Sequence, residues 1–518
     1  MPATRPRFRC AAARAACRSL ALLAALGAAT ISLPAEEIGV DDRRISDVGG
    51  LGDPTYDAFH AHVAYNSTNH EYLVVWSADD PDSGPTDDEL EICGQRLNAT
   101  TGAEVGLFDF LISSMGGIGD PDDDASYPAV VYNPVENEYL VAWEGTEDDQ
   151  GTIEGEFEIY VQRLDGATGD PVGTNDQRIS AMGGLGNALY HARAPAIAYD
   201  PERNQYLVAW SGSHDQDGQV WGEFEIFVQR LDGATGVEIG LDDQRVSAMG
   251  GTGDAAFDAR SPALVYNPAH GEFLVVWEGD DDAAAQADEE FEIFVQRIDA
   301  ATGAEVGADD SRISFAGPNL DPLYDAADPA VAFDPLTDHY LVVWSGDDDT
   351  PPMVDEEYEI WSQLLEGADA NLVGGAIRLS DMGPVGSSLY RAHRPRVTWG
   401  SIDGEYLVAW DGSDDPPGED ESEIFLQRVG ADGWPRGTDD ERLSTMGPDG
   451  TPDFGAVMPD LAFNPQHDEA LVVWAGVDDT PPLVVGEYEV YSQRWIQPLL
   501  FADDFETGDT ARWSFVLP

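Results

Sequence analysis

Histidine and arginine are scarce in this chain, and several of them gather with aspartate in one recurring stretch. The stretch joins an aromatic residue to Asp and Ala, as in Tyr56-Asp57-Ala58, Phe257-Asp258-Ala259 and Tyr324-Asp325-Ala326, with Asp124 at the same place in another copy. In the remaining copies the Asp becomes His191, Arg391 and Gly455. Close behind follow His60, His62, Arg193, Arg260, His393 and Arg394. Carboxylates beside imidazole and guanidinium groups suit work on a glycosidic bond, one carboxyl as acid and the other as base. The same set suits recognition of an anionic sugar without reaction, and equally plain ion pairing between repeats. The ligand-binding candidates are therefore Asp57, Asp124, His191, Arg193, Asp258, Arg260, Asp325, Arg391 and His393. No catalytic residue is singled out, because no spacing supports a Ser-His-Asp triad or a His-metal cluster.

A second set is purely acidic. Asp79-Asp80, Asp148-Asp149, Asp280-Asp281-Asp282, Asp347-Asp348-Asp349, Asp414-Asp415 and Asp478-Asp479 all fall between the same two apolar segments of their repeats. Clustered carboxylates repel one another, and a hard cation such as Ca2+, which takes oxygen ligands, relieves that cost. No loop has the ordered ligand spacing of an EF-hand, so the alternative is a solvated acidic rim with diffuse counterions.

The elements that must position these residues repeat. A segment led by Ala61 recurs at Pro128, Pro195, Pro262, Pro329, Pro395 and Pro459, a period of 64 to 67 residues. A period of that kind signals an array of one supersecondary unit. Each unit reads as four strands, for example PAVVYNP (128–134), EYLVAWEG (138–145), EFEIYVQRLD (156–165) and the short QRIS (177–180). They are rich in β-branched and aromatic residues and bounded by Asn-Pro, Gly or Asp turns. No segment sustains a helical apolar period.

Seven units of four strands predict an all-β fold, a seven-bladed β-propeller. The fourth-strand motif first occurs at Arg44-Ile-Ser46, ahead of every other strand, and the last repeat ends without one. The N-terminal strand is therefore expected to complete the seventh blade and remove the free sheet edges. Every repeat also carries a Trp ending strand two and a Glu opening strand three, such as Trp143 and Glu158. An Arg from strand four is expected to pair with that Glu.

Composition sets outer limits. The chain has 26 Lys+Arg against 99 Asp+Glu, a net charge of −73. All its cationic residues of this kind are Arg. Such a surface repels phosphates and anionic lipid, so nucleic acid is excluded as a partner and cations are favoured. Carbohydrate or protein partners stay open. Residues 1–35 read as a secretory signal, with an Arg-rich start and an apolar run over Leu20–Leu33. No run is long enough to span a membrane. With Cys10 and Cys17 inside that signal, only Cys93 remains, which leaves no internal disulfide and no Cys-based metal site. The domain plan is thus signal 1–35, propeller 36–496 and tail 497–518, acting as a secreted monomer at the cell surface or beyond.

The pattern of a first strand ending in Asn-Pro, then YLVVW, then EIYVQRLD resembles the secreted bacterial β-propeller repeat proteins over about residues 37–496. The tail's D-x-F-E-x-G-D-x-x-x-W-S is similar to a short motif at the C-termini of many secreted bacterial proteins. That likeness implies a sorting or surface-retention tag, or a strand capping the ring. The functional expectation from sequence is a secreted, non-catalytic binding or cell-surface module with an acidic, Ca2+-binding face. Its alternatives are a carbohydrate-active enzyme, hydrolase or lyase, at the channel mouth, and a structural surface or matrix protein.

Overall fold

Strand two of each repeat is apolar on both faces, so it must be covered from both sides, and a sheet packed between two others does that. In the first repeat Tyr72, Leu73, Val74, Val75 and Trp76 all have 0% exposure. The computed structural model describes residues 36–496, except 51, 80–88, 117–122, 147–154, 185, 216–217, 282–288, 318–320, 349–352, 402–403, 415–420, 449 and 482. The expected signal and the C-terminal tail motif lie outside the described residues.

The described residues form seven four-stranded antiparallel sheets, the blades of a β-propeller, with no helix among them. The first blade runs Ala58–Asn66, Glu71–Asp79, Leu90–Asn98 and Glu104–Leu111. The seventh has Gly455–Asn464, Glu469–Val477 and Glu489–Ile496 from the C-terminal end, and its outer strand is Glu36–Arg44. The N-terminal strand therefore closes the ring. Strand one of every blade is innermost and packs on strand one of its neighbours. Apolar clusters run from blade to blade, as where Leu207 and Ile226 of the third meet Phe273 and Trp277 of the fourth.

The Glu that opens strand three is buried in every blade. In the third blade the Ile226 N–H donates to Ser247 Oγ at 2.7 Å, Ser247 donates to Glu225, and the Met249 N–H donates to the same carboxyl at 3.2 Å. The Ser–Glu bond recurs as Ser46–Glu489, Ser113–Glu91, Ser180–Glu158, Ser314–Glu292, Ser380–Glu359 and Ser444–Glu423. The Ser of the R-I-S motif is the constant partner. The expected Arg–Glu bridge forms only as Arg44–Glu489 at 3.1 Å, Arg442–Glu423 at 2.7 Å and Arg312–Glu292 among the described residues.

A second set of half-buried carboxylates ties each blade to the next. Asp243, Asp310, Asp440 and Asp42 sit in strand four at φ of 42° to 45°. They accept the N–H of Ala181, Ala248, Asp381 and Thr445 of the preceding blade at 2.9 to 3.2 Å. On the far rim, Arg230 donates to the Ala301 carbonyl of the next blade at 2.8 Å.

Burial shifts several of these groups toward the protonated form. It pushes Glu91, Glu158 and Glu225 from the ordinary 4.5 up to about 8, against the Ser hydrogen bonds that oppose it. Asp42, Asp243, Asp310 and Asp440 rise from 3.8 to about 7, mainly by burial and with help from a neighbouring Asp. A carboxyl whose pKa is raised in the folded chain binds a proton that the unfolded chain has released. Its contribution is complete below the unfolded value and is lost as pH rises through the folded one. The melting temperature is therefore expected to fall steadily between about pH 5 and about pH 9. The fall should persist in about 1 M NaCl, where surface repulsion is screened. Glu225→Gln should keep the acid-side melting temperature and flatten the fall; calorimetry across pH reads both.

Candidate functional site

Strand one carries Pro in every blade but the first, where Ala61 takes its place, and Pro has no N–H for a ladder. A bulge accommodates it, the pairing of the third blade slipping between Arg193 and Ala196, and the same slip occurs in each of the others. The residue before the Pro or Ala61 is left-handed every time: His60, Tyr127, Ala194, Ser261, Asp328, Arg394 and Met458 all have φ between 50° and 57°. That backbone is costly for a residue with a side chain, and buried or half-buried carboxylates of the preceding blade help hold it. Glu144 accepts the Ala194 N–H at 2.7 Å, Glu278 the Asp328 N–H at 2.8 Å, and Asp411 the Met458 N–H at 3.2 Å.

The bulges line a cavity of about 600 Å3. Most of its wall is Ala, Pro, Val and Leu repeated from blade to blade. Repetition stops at the left-handed position and at the residue two further on. The fifth to second blades, counted through the seventh, place Asp328, then Arg394 and Arg396, then Asp460, then His60 and His62, then Tyr127 along one arc. The third and fourth blades offer Ala194, Ala196, Ser261 and Ala263. One side of the cavity is thus polar and ionisable, the other small and nearly neutral.

The arc is internally ordered. Arg394 grips Asp411 with two bonds, Nε at 2.8 Å and Nη2 at 2.6 Å. Burial pushes the Asp411 carboxyl up, and Arg394 opposes it. Asp460 accepts the Val63 N–H at 2.8 Å, with His62 Nδ1 at 3.4 Å. Its burial favours the neutral acid, but His62, Arg396 and Val63 together outweigh that and hold the carboxyl below the usual range. His60 stacks on Tyr127 with ring centroids 3.9 Å apart. Burial above all, with His62, Arg394 and Arg396, lowers His60 to about 4, so its imidazole is neutral. Behind Asp328 lies Glu278, which also accepts from Ser261 Oγ at 3.2 Å. Burial, then the charge of Asp328, raises its carboxyl.

The residues named from sequence sit one step outside this arc. Asp57, Asp124, Asp258 and Asp325 accept the N–H of Tyr488, Leu90, Phe224 and Phe291 at 3.0 to 3.1 Å, tying the start of strand one to strand three of the preceding blade. Arg193 pairs with Glu144 at 3.0 Å and lies over the Phe157 ring, which also meets His191. Arg260 pairs with Asp258, and Arg391 with Glu356 at 3.0 Å. His393 contacts Ser345 Oγ at 3.3 Å and the Tyr358 ring. None of these lines the cavity. His60, His62 and Arg394 do. Tyr127, Ser261, Asp328, Arg396 and Asp460 were not singled out by sequence reasoning. The available signal was the position before the Pro, or before Ala61 in the first repeat, where the repeats place seven different residue types.

No family model and no curated protein matches the chain. Solved structures do. An α-L-arabinofuranosidase from Fusarium graminearum is similar at 14% identity and TM-score 0.41, over 71% of this chain and 92% of that one. The α-L-arabinanase of Penicillium chrysogenum matches at 14% identity and TM-score 0.42, again over 71% and 92%. A Trypanosoma rangeli sialidase matches at 9% and 0.41, over 76% and 56%. These neighbours correct the expectation of a non-catalytic module, since they are described as enzymes that act on glycosides. At such identities and TM-scores they lend this chain no residue roles.

The acidic rim is engaged with its own backbone where it is described. Asp280 accepts the Asp258 N–H at 2.7 Å and the Glu289 N–H at 3.0 Å. Asp347 accepts from Glu356 at 2.7 Å, Asp478 from Thr480 at 2.8 Å, and Asp281 from Gly250 at 3.4 Å. Asp79 is buried, and Asp348, Asp414 and Asp479 complete the described set. Asp80, Asp148, Asp149, Asp282, Asp349 and Asp415 lie outside the described residues. Among the described residues no three of His, Cys, Asp and Glu are grouped to hold a metal ion. Nor is any helix among them long and apolar enough to cross a membrane.

The Arg394–Asp411 pair yields a direct test. Asp411 is buried, and removing its partner leaves a carboxylate with nothing but the Met458 N–H. Arg394→Gln is expected to destabilise the protein by about 3 kcal/mol, the low end for a buried pair because Arg394 is partly open. Adding Asp411→Leu should recover most of that loss in a denaturant titration.

Proposed function

We propose that the channel mouth is the site of a carbohydrate-active enzyme that cleaves a glycosidic bond, with Asp328 and Asp460 as its carboxylate pair. One observation carries this reading: the wall is repeated Ala and Pro except where unlike ionisable groups converge on a single cavity. Catalysis needs unlike groups at one place, and two carboxylates flanking the bond are the common requirement for glycoside cleavage. Asp460, kept ionised beside His62 and Arg396, faces the anomeric carbon or the water that attacks it. Asp328 serves the leaving oxygen. Glu278 is a positioning residue behind it, fixing the left-handed turn through the Asp328 N–H. The stacked His60 and Tyr127 rings offer a flat surface for a sugar face. Release of an unsaturated sugar would mark elimination in place of hydrolysis at the same residues. The export segment read from the N-terminus supports a polysaccharide met outside the cell.

The test is turnover on a panel of polysaccharides and oligosaccharides. It includes arabino-oligosaccharides, since propellers of the Fusarium and Penicillium enzymes were solved with arabinobiose. Asp328→Asn and Asp460→Asn are each expected to lower kcat by about 10²–10⁴-fold, the first without moving the melting temperature and the second with a modest fall because Asp460 also holds His62 and the Val63 N–H. A wild-type protein that releases nothing from any member of the panel overturns the reading.

A further inference from the structure

We infer that the sugar unit taken at this mouth carries a carboxylate, seated against Arg396 with His60 and His62 beside it; this rests on the glycoside reading above. In a chain with so large an excess of acid, a guanidinium in a cavity is expected to be claimed by a carboxylate. Arg394 is claimed, by both oxygens of Asp411. Arg396 is not. Its Nη1 donates to the Pro395 carbonyl at 3.0 Å, and no carboxylate lies within 4.0 Å of it among the described residues. It lines the cavity two residues beyond Arg394, on the blade beside Asp460.

The neighbouring imidazoles agree with an anion there. His60 lines the cavity, and its Nδ1 is buried without a hydrogen-bond partner among the described residues. Two guanidinium groups, Arg394 and Arg396, stand near His60, and among the described residues only Arg394 is hydrogen-bonded to a carboxylate. Asp460 is engaged with His62 and the Val63 N–H. A planar carboxylate matches the guanidinium fork, and hydrogen bonds between ionised partners are the strong ones. A hexuronate unit presents that group on a ring of the size the cavity admits, while the opposite wall of Ala194, Ala196 and Ala263 leaves room for the rest.

The test compares galacturonate and glucuronate disaccharides with their carboxyl-reduced neutral counterparts. Calorimetric binding is read at about 0.15 M salt, where the Debye length of about 8 Å keeps the acidic rim from masking the cavity. An acidic disaccharide should bind about 10- to 100-fold tighter than its neutral counterpart. Arg396→Gln should erase that difference while leaving the neutral sugar's affinity unchanged, and Arg396→Lys should restore part of it. The melting temperature of Arg396→Gln should fall only slightly, because its one hydrogen bond is to a neighbouring carbonyl and its remaining role is a charge near Asp460. Equal binding of acidic and neutral sugars, or equal weakening of both by Arg396→Gln, overturns the inference. Turnover confined to neutral glycosides would leave the glycoside reading standing and sink this one. Tight, Arg396-dependent binding of the acidic sugar with no turnover of any glycoside would do the reverse.

Discussion

The ring must close, and the rest of the molecule follows from that. Seven sheets packed face to face around an axis leave an apolar face at each end of the row uncovered unless the last blade packs on the first. Here the strand Glu36–Arg44 joins the last three strands of the chain, so the first residues of the fold and the last share one blade. The seam uses the same chemistry as the interior of the other blades, Ser46 donating to Glu489 and the Ile45 N–H to the Val490 carbonyl at 2.8 Å. Closure also brings seven first strands together at the axis. Ala, Pro and aliphatic residues recur along the wall they form.

A chain with 99 acidic residues and 26 basic ones cannot give each buried carboxylate a cation. The fold solves this with neutral donors. The Glu of strand three takes a Ser hydroxyl and a main-chain N–H, and the Asp of strand four takes an N–H across the blade boundary. At Glu91, Glu158 and Glu225, which have no Arg hydrogen bond among the described residues, burial then favours the protonated form. Arginine is kept for places where a rigid fork of donors matters: strand-two carboxylates such as Asp411, and the main-chain carbonyls of the next blade's turn.

The same repetition that builds the scaffold also isolates the site. Every blade has the bulge, the left-handed residue and the turn of its side chain toward the axis. The scaffold thereby offers seven equivalent positions, and their occupants differ: His60, Tyr127, Ala194, Ser261, Asp328, Arg394 and Met458. A further break two residues on adds His62, Arg396 and Asp460. Unlike groups meet in one cavity because the ring places adjacent blades side by side, not because they are near in sequence. Asp460 and His62 lie at opposite ends of the chain and approach to 3.4 Å.

The sequence alone determined the strands, the number of blades and the closing role of the N-terminal strand. These depend on patterns local to each repeat: alternation, turn residues and a motif that occurs once too early and once too few. It also pointed to the start of strand one, a few residues from those that line the cavity. What it could not determine was which of those residues reach the axis. Asp57, Asp124, Asp258 and Asp325 stand where an unbroken strand would approach the channel, yet their carboxyls turn back to the N–H groups of the preceding blade. Only the tertiary structure decided this, for a physical reason. The bulge at each Pro inserts a left-handed residue, and a strand's side chains change face with every residue, so a single inserted position hands the channel to the next set of side chains.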